Sequence, residues 1–298
     1  MRAAALTLVF LAGILLAPPP AAASGLADRS VETPRLIVSA VPGAVPEGGL
    51  AAFAERTEGL LGRILELWGV DDGVERLGKI RVILDHPQRN TSSSVFFWLA
   101  EDGRRVRAVR VFGSPEAPQM LAHKLTSALM PQRDKLLRNM LGILSERRLG
   151  NPDAFPMCGH RADAWVLAFL DAGTYLPLRE LGPDHAAWGM ADAGGGRMQV
   201  LDRARQHRAY VEAGSFAEWL LAAFGPDALK RLQRLSQGDG RPFRQALGAD
   251  LEELEGRWLA ALRTREPELR DEASLLGRMF ARNPARACFA AQAQADGR

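Results

Sequence analysis

Long apolar runs are scarce in this chain of 298 residues. One stretch, LTLVFLAGILLA, follows Arg2, and no second long one appears downstream. The run is too short to cross a bilayer comfortably. With its charged start and the small-residue segment PPPAAAS, it reads as a secretory signal peptide over residues 1–24, cleaved near Ala23 or Ser24. No membrane span is expected after cleavage, and no cysteine ends the run to carry a lipid anchor. The expected destination is the periplasm or the extracellular space.

A surplus of either charge is also missing. The 38 Lys and Arg face 35 Asp and Glu, for a net charge of +3. Charges alternate in sign along most segments, as on solvated helix faces. No basic stripe interleaves with aromatics, which excludes nucleic acid as an expected partner. Cysteine is rare: Cys158 and Cys288 are the only two. In an exported chain such a pair favours one disulfide. The competing use of MCGH, as a nucleophile or metal ligand, has only Cys158 and His160 at close spacing.

Short β-branched runs fill the first third. RLIVSAV, KIRVILD, SVFFWLA and RRVRAVRVFG read as strands, the last two joined at Glu101-Asp102-Gly103. Between the first and second, Leu50, Phe53, Leu60, Leu61, Ile64, Leu67 and Trp68 fall on one helical stripe. From Pro115 onward the pattern is helical, with helices expected near 117–130, 133–149, 160–172, 214–224, 226–237 and 250–264. Gly, Pro and Asp clusters separate them. The expected fold is α+β: a small mixed β-sheet with one long helix, followed by a mainly helical part. The expected divisions are an α/β subdomain over 34–113, a helical subdomain over 114–265, and a C-terminal helix and mobile tail over 266–298.

The segment LAHKLTSALM, Leu121 to Met130, scans like the zinc helix H-E-x-x-H with a lysine and a serine substituted. In a zinc helix, two histidines four apart share a face, and the glutamate between them activates water. Around this segment stand a preceding sheet, the helix RNMLGIL, and the later run AGSFAEWL, FGPDALKRL and ALGADLEELEGRW. Over about residues 35–265 this series resembles the peptidase-MA-like gluzincin metallopeptidases of the thermolysin type.

The resemblance implies a zincin-like fold with a cleft, and it implies specific losses. The general base of that family falls on Lys124, the second histidine ligand on Ser127 and the third ligand on Leu141, if Gly142 sets the register. Only His123 keeps a ligand's identity, and one ligand does not make a zinc site where three are needed. No metal, cofactor or catalytic residue is therefore expected. The implied protein is an exported pseudo-metallopeptidase acting as a scaffolding module or as a module that binds a peptide or protein ligand in its cleft, by strand addition at RAVRVFG; a purely structural protein with a filled cleft is a further reading. His123, Lys124, Ser127 and Tyr210 are its candidate cleft-lining residues. The alternative is a hydrolase working through His123, Lys124 and Ser127.

Overall fold

The computed structural model describes residues 30–86, 90–100, 102–194, 196–236 and 241–288. The signal-peptide assignment and Glu101 lie outside these residues, as do positions 289–298 of the C-terminal tail. The fold is α+β. The main sheet is five-stranded, in the order β1 (Ser30–Glu32), β2 (Leu36–Ala40), β3 (Ile80–Asp85), β6 (Arg105–Phe112) and β5 (Ser94–Leu99). Its inner pairs are parallel, and the two outer pairs are antiparallel. A second sheet joins β4 (Thr91–Ser92) to a hairpin of β7 (Met190–Asp192) and β8 (Met198–Val200).

Alternation explains which face of the main sheet is buried in the core. Val38, Val82 and Val109 stand in one row across β2, β3 and β6. Leu36, Ile80, Leu84 and Val111 share their face and their core cluster. Helix α1 (Gly49–Trp68) packs on this sheet and sends Phe53, Leu61 and Ile64 into the core. Each such side chain contributes about 1.5–3 kcal/mol. At its end, Trp68 Nε1 donates to Ser145 Oγ at 2.8 Å and so ties α1 to the helices beyond. A one-turn helix, α2 (Val74–Leu77), leads into β3.

Strand β6 is hydrogen-bonded on both sides, to β3 and to β5. RAVRVFG therefore offers no free edge, and a peptide cannot add there; the outer strands are β1 and β5. Its arginines are buried rather than solvated. Arg110 pairs with Asp85 at 2.6 Å, and Arg107 donates to the carbonyls of Asp72 and Gly78.

The helical part comprises α3 (Leu121–Leu129), α4 (Lys135–Leu149), α5 (Ala162–Asp171), α6 (Arg203–Leu235), α7 (Phe243–Leu247), α8 (Leu251–Thr264) and α9 (Glu266–Arg282). Two differences from the sequence reading stand out. Helix α6 begins at Arg203, well before the expected 214, because Asp202 caps it by accepting the Arg205 amide at 2.9 Å. It then runs through FGPD with a kink: Gly225 takes φ 76 and ψ 172, and Pro226 has no amide to donate. The β7–β8 hairpin was expected only as a break in the helical pattern. One cluster of buried side chains runs from the main sheet through α9. Cys158, after α4, is bridged to Cys288, after α9, with Cα atoms 5.2 Å apart. Among the described residues no helix is long and apolar enough to cross a membrane.

Candidate functional site

Helices α3 and α4 pack against each other, and their contact organises the site. Asp134 caps α4 by accepting the Leu137 amide at 3.1 Å, and its carboxylate is also paired with Arg241. Along α4, positions 135, 139, 142 and 146 follow the helical repeat. The last three of these meet α3. Glu146 accepts the backbone amide of His123 at 3.0 Å, satisfying a donor in the first turn of α3. Asn139 Oδ1 lies 3.2 Å from His123 Nε2. At Gly142 the imidazole comes so close that an added Cβ would stand 2.2 Å from its Cδ2.

His123 is thus a fully buried side chain behind the site, not a group on its wall. Burial first, and the charges of Lys124 and Arg138 second, hold its pKa well below the usual value, so the ring is neutral at neutral pH. Ser127 Oγ donates to the His123 carbonyl at 3.0 Å, the usual back-bond of a helical serine. Leu141 is buried in the apolar core, and the α4 side chain that reaches His123 is Asn139. Among the described residues no three His, Cys, Asp or Glu side chains are grouped to hold a metal ion. Cys158 is bridged, His160 is hydrogen-bonded to Glu272, and His207 Nε2 donates to the Pro156 carbonyl at 2.8 Å.

The cavity itself, of about 140 Å³, opens between α3, α4, the start of β5 and the β7–β8 hairpin. Lys124, Ser127 and Tyr210 line it; so do Lys135, Arg138, Asn139 and His185, which the sequence reading did not single out. The hairpin closes over β5 through a hydrogen bond from Ser94 Oγ to the Gly196 carbonyl. Gly196, with φ 71, packs against the Phe96 ring so tightly that a Cβ would lie 2.4 Å from it. That contact accounts for one glycine of the GGG run.

The cavity is electrostatically one-sided. Lys124 is 6 % exposed and has no hydrogen bond or ion pair from its ammonium among the described residues. The ammonium stands 5.8 Å from the centroid of the Tyr210 ring, a weak cation–π contact. Burial, then the neighbouring Arg138, pulls its pKa down from 10.5 to about 7. Lys135 is 2 % exposed and hydrogen-bonded to His185 Nδ1. Burial, then Arg138 and Lys124, brings it to about 6. His185 falls to about 4 for the same reasons, burial and then Lys135. Arg138 keeps its charge, as guanidinium does in proteins, and has no ion-pair partner among the described residues. Tyr210 is pushed up to about 12 by burial, although Arg138 opposes the shift. The one carboxylate on the wall, Asp192, is exposed at the hairpin. Asn139 adds a buried Nδ2 without a hydrogen-bond partner.

The sequence carried one usable signal for this cluster. The chain has only four lysines, at 79, 124, 135 and 230, and two of them meet in this cavity. A larger hollow of about 380 Å³ lies by the start of α3, walled by Phe53, Leu60 and Leu121. Its buried ionisable group, Glu146, already accepts backbone amides, so the unsatisfied chemistry sits in the smaller cavity. No protein-family model, curated protein or solved structure matches this chain.

Proposed function

We propose that this chain is an exported, non-catalytic binding protein that holds a small oxyanion in the cavity between α3, α4 and the β7–β8 hairpin. One observation carries the reading: Lys124, Lys135 and Arg138 line a single cavity, and none has a carboxylate within ion-pair distance among the described residues. Taking cations out of water without a counter-ion is expensive. A bound carboxylate or phosphate supplies the missing charge and accepts the free donors of Arg138 and Asn139.

The reading is compatible with a degenerate gluzincin. At the place of that family's general base stands Lys124, so a tethered cation would replace a bound metal ion. The cavity is small, and β6 has no free edge, so the ligand is read as a small molecule rather than an extended peptide. The hydrolase alternative has less support. Ser127 gives its proton to a backbone carbonyl, and His123 is held by Asn139 away from the cavity wall. The Cys158–Cys288 bridge favours an oxidising compartment.

The test is thermal unfolding and calorimetric titration at pH 6 with phosphate, sulfate and pyruvate, against chloride at equal ionic strength. An anion at a hundred times its Kd stabilises the fold by about 2.7 kcal/mol. Arg138→Leu should abolish the shift. The same small shift in chloride as in every oxyanion would remove the reading.

A further inference from the structure

The two buried lysines are not equivalent, and the difference points to chemistry beyond binding. Lys135 Nζ is engaged by His185 Nδ1. Lys124 Nζ has no hydrogen-bond or ion-pair partner among the described residues, yet it lines the same cavity as Arg138 and Asn139. We infer that Lys124 is a nucleophile that captures small 2-oxo acids as an imine, with Arg138 holding the acid's carboxylate. This inference rests on the oxyanion-binding reading and deepens it.

A guanidinium grips a carboxylate through two parallel hydrogen bonds. In a 2-oxo acid the carbonyl carbon is the next atom along, so the clamp holds it in the cavity that the Lys124 amine also lines. The Nζ lone pair adds to that carbon, and the former carbonyl oxygen becomes a hydroxyl. The oxygen then leaves as water with the two protons that the nitrogen gives up, and a C=N bond remains. Nothing is oxidised or reduced, and no further reactant is needed. The unpartnered Nδ2 of Asn139 can donate to the departing oxygen or to the carboxylate.

An amine must be neutral to attack. A surface lysine is about one part in a thousand neutral near pH 7.4. Lys124 differs, because burial and Arg138 bring its ammonium to about 7. A desolvated lysine beside a second cation is a general way to make such a nucleophile. About 140 Å³ suits an acid of a few heavy atoms, such as pyruvate or glyoxylate, better than a sugar or a peptide.

The remaining two lysines are internal controls. Lys79 pairs with Glu32 at 3.1 Å, and Lys230 lies 4.0 Å from Asp227. The full chain is incubated with pyruvate or glyoxylate and sodium cyanoborohydride at pH 7.5, then mapped by peptide mass spectrometry. The expected result is one reduced adduct, on Lys124, at least about tenfold above Lys79 and Lys230. Excess inorganic phosphate should protect the site. Lys124→Arg should give no adduct. A pyruvate shift in the parent without an adduct on Lys124 overturns the imine and leaves oxyanion binding standing. Neither shift nor adduct overturns both. Labelling on Lys135, or equally on all lysines, overturns the assignment to Lys124.

Discussion

The imidazole of His123 packs against Gly142, where a methyl group would stand 2.2 Å from Cδ2. In an open helical position, Gly→Ala stabilises by about 1 kcal/mol. Here the sign should reverse. Gly142→Ala should destabilise by about 1–3 kcal/mol, as overpacking does. In a His123→Ala background the space is free, and Gly142→Ala should then be stabilising. Urea unfolding of the four proteins reads the cycle.

Lys124→Met should make a more stable protein that no longer holds an oxyanion. The folded state keeps this lysine near 7, while the unfolded chain keeps it near 10.5. Between those values the unfolded chain carries more protons, so the parent gains stability as pH rises through that window. Below about pH 7 the full penalty remains, on the order of a few kcal/mol. Lys135 acts in the same direction from about 6. Melting temperatures from pH 6 to 10 should rise more steeply in the parent than in the variant. A parallel pair of curves would show that Lys124 carries no such penalty.

Oxyanion affinity should follow the opposite slope. Lys135, Arg138, His185, Tyr210, Asp192, the neutral His123 and the more distant Glu146 are ionisable groups around Lys124. Within this cluster Lys124 and Lys135 change charge near neutrality. Binding takes up a proton wherever the free amine is neutral. Affinity for sulfate should therefore be highest below pH 6 and fall by about tenfold per pH unit per lysine above 7. Titration calorimetry in buffers of different ionisation enthalpy should report the proton uptake directly.

Glu212 gives a test away from the cavity. It is fully buried; Oε1 accepts the Leu176 amide at 3.1 Å, and Oε2 has no partner. Burial raises its pKa well above 4.5, against the opposing amide and Arg208. The folded state thus holds a proton that the unfolded chain releases above 4.5, and stability falls as pH rises through the window above that value. Glu212→Gln should keep the amide contact and unfold at a higher temperature than the parent at pH 8. The advantage should shrink toward pH 4.5. A lower melting temperature at pH 8 would mean that the ionised carboxylate is stabilised in the fold.

The sheet is legible in the sequence because short β-branched runs such as KIRVILD and RLIVSAV, bounded by turn residues, read as strands. Helix α1 is legible for the matching reason at helical period. The first half of α6 is not, because Gln206, His207 and Glu212 are buried and interrupt any apolar stripe. The β7–β8 hairpin hides behind strands of three residues and a glycine run. The site was half legible. Lys124 and Ser127 stand in the altered zinc-helix motif and Tyr210 shortly before GSF, and all three line the cavity. Lys135 and Arg138 look like ordinary charges in the first turn of a helix. The chain that closes the cavity around them comes some 50 residues or more downstream, at His185, Met190 and Met198. Leu141 shows the limit of a register set by one glycine: the side chain that faces His123 is two positions earlier, at Asn139.

The bridge between Cys158 and Cys288 spans 130 residues, which sets an order of events during synthesis. A ribosome adding about 5–20 residues per second makes Cys158 several seconds or more before its partner exists. For that interval the first thiol must wait, and its immediate neighbours are the strands and helices already made. The folded protein shields it completely, and α9, whose Glu272 bonds His160 two residues further on, is made only shortly before Cys288. The covalent link is therefore a closing step: it fastens a structure whose packing must first have brought the two ends together.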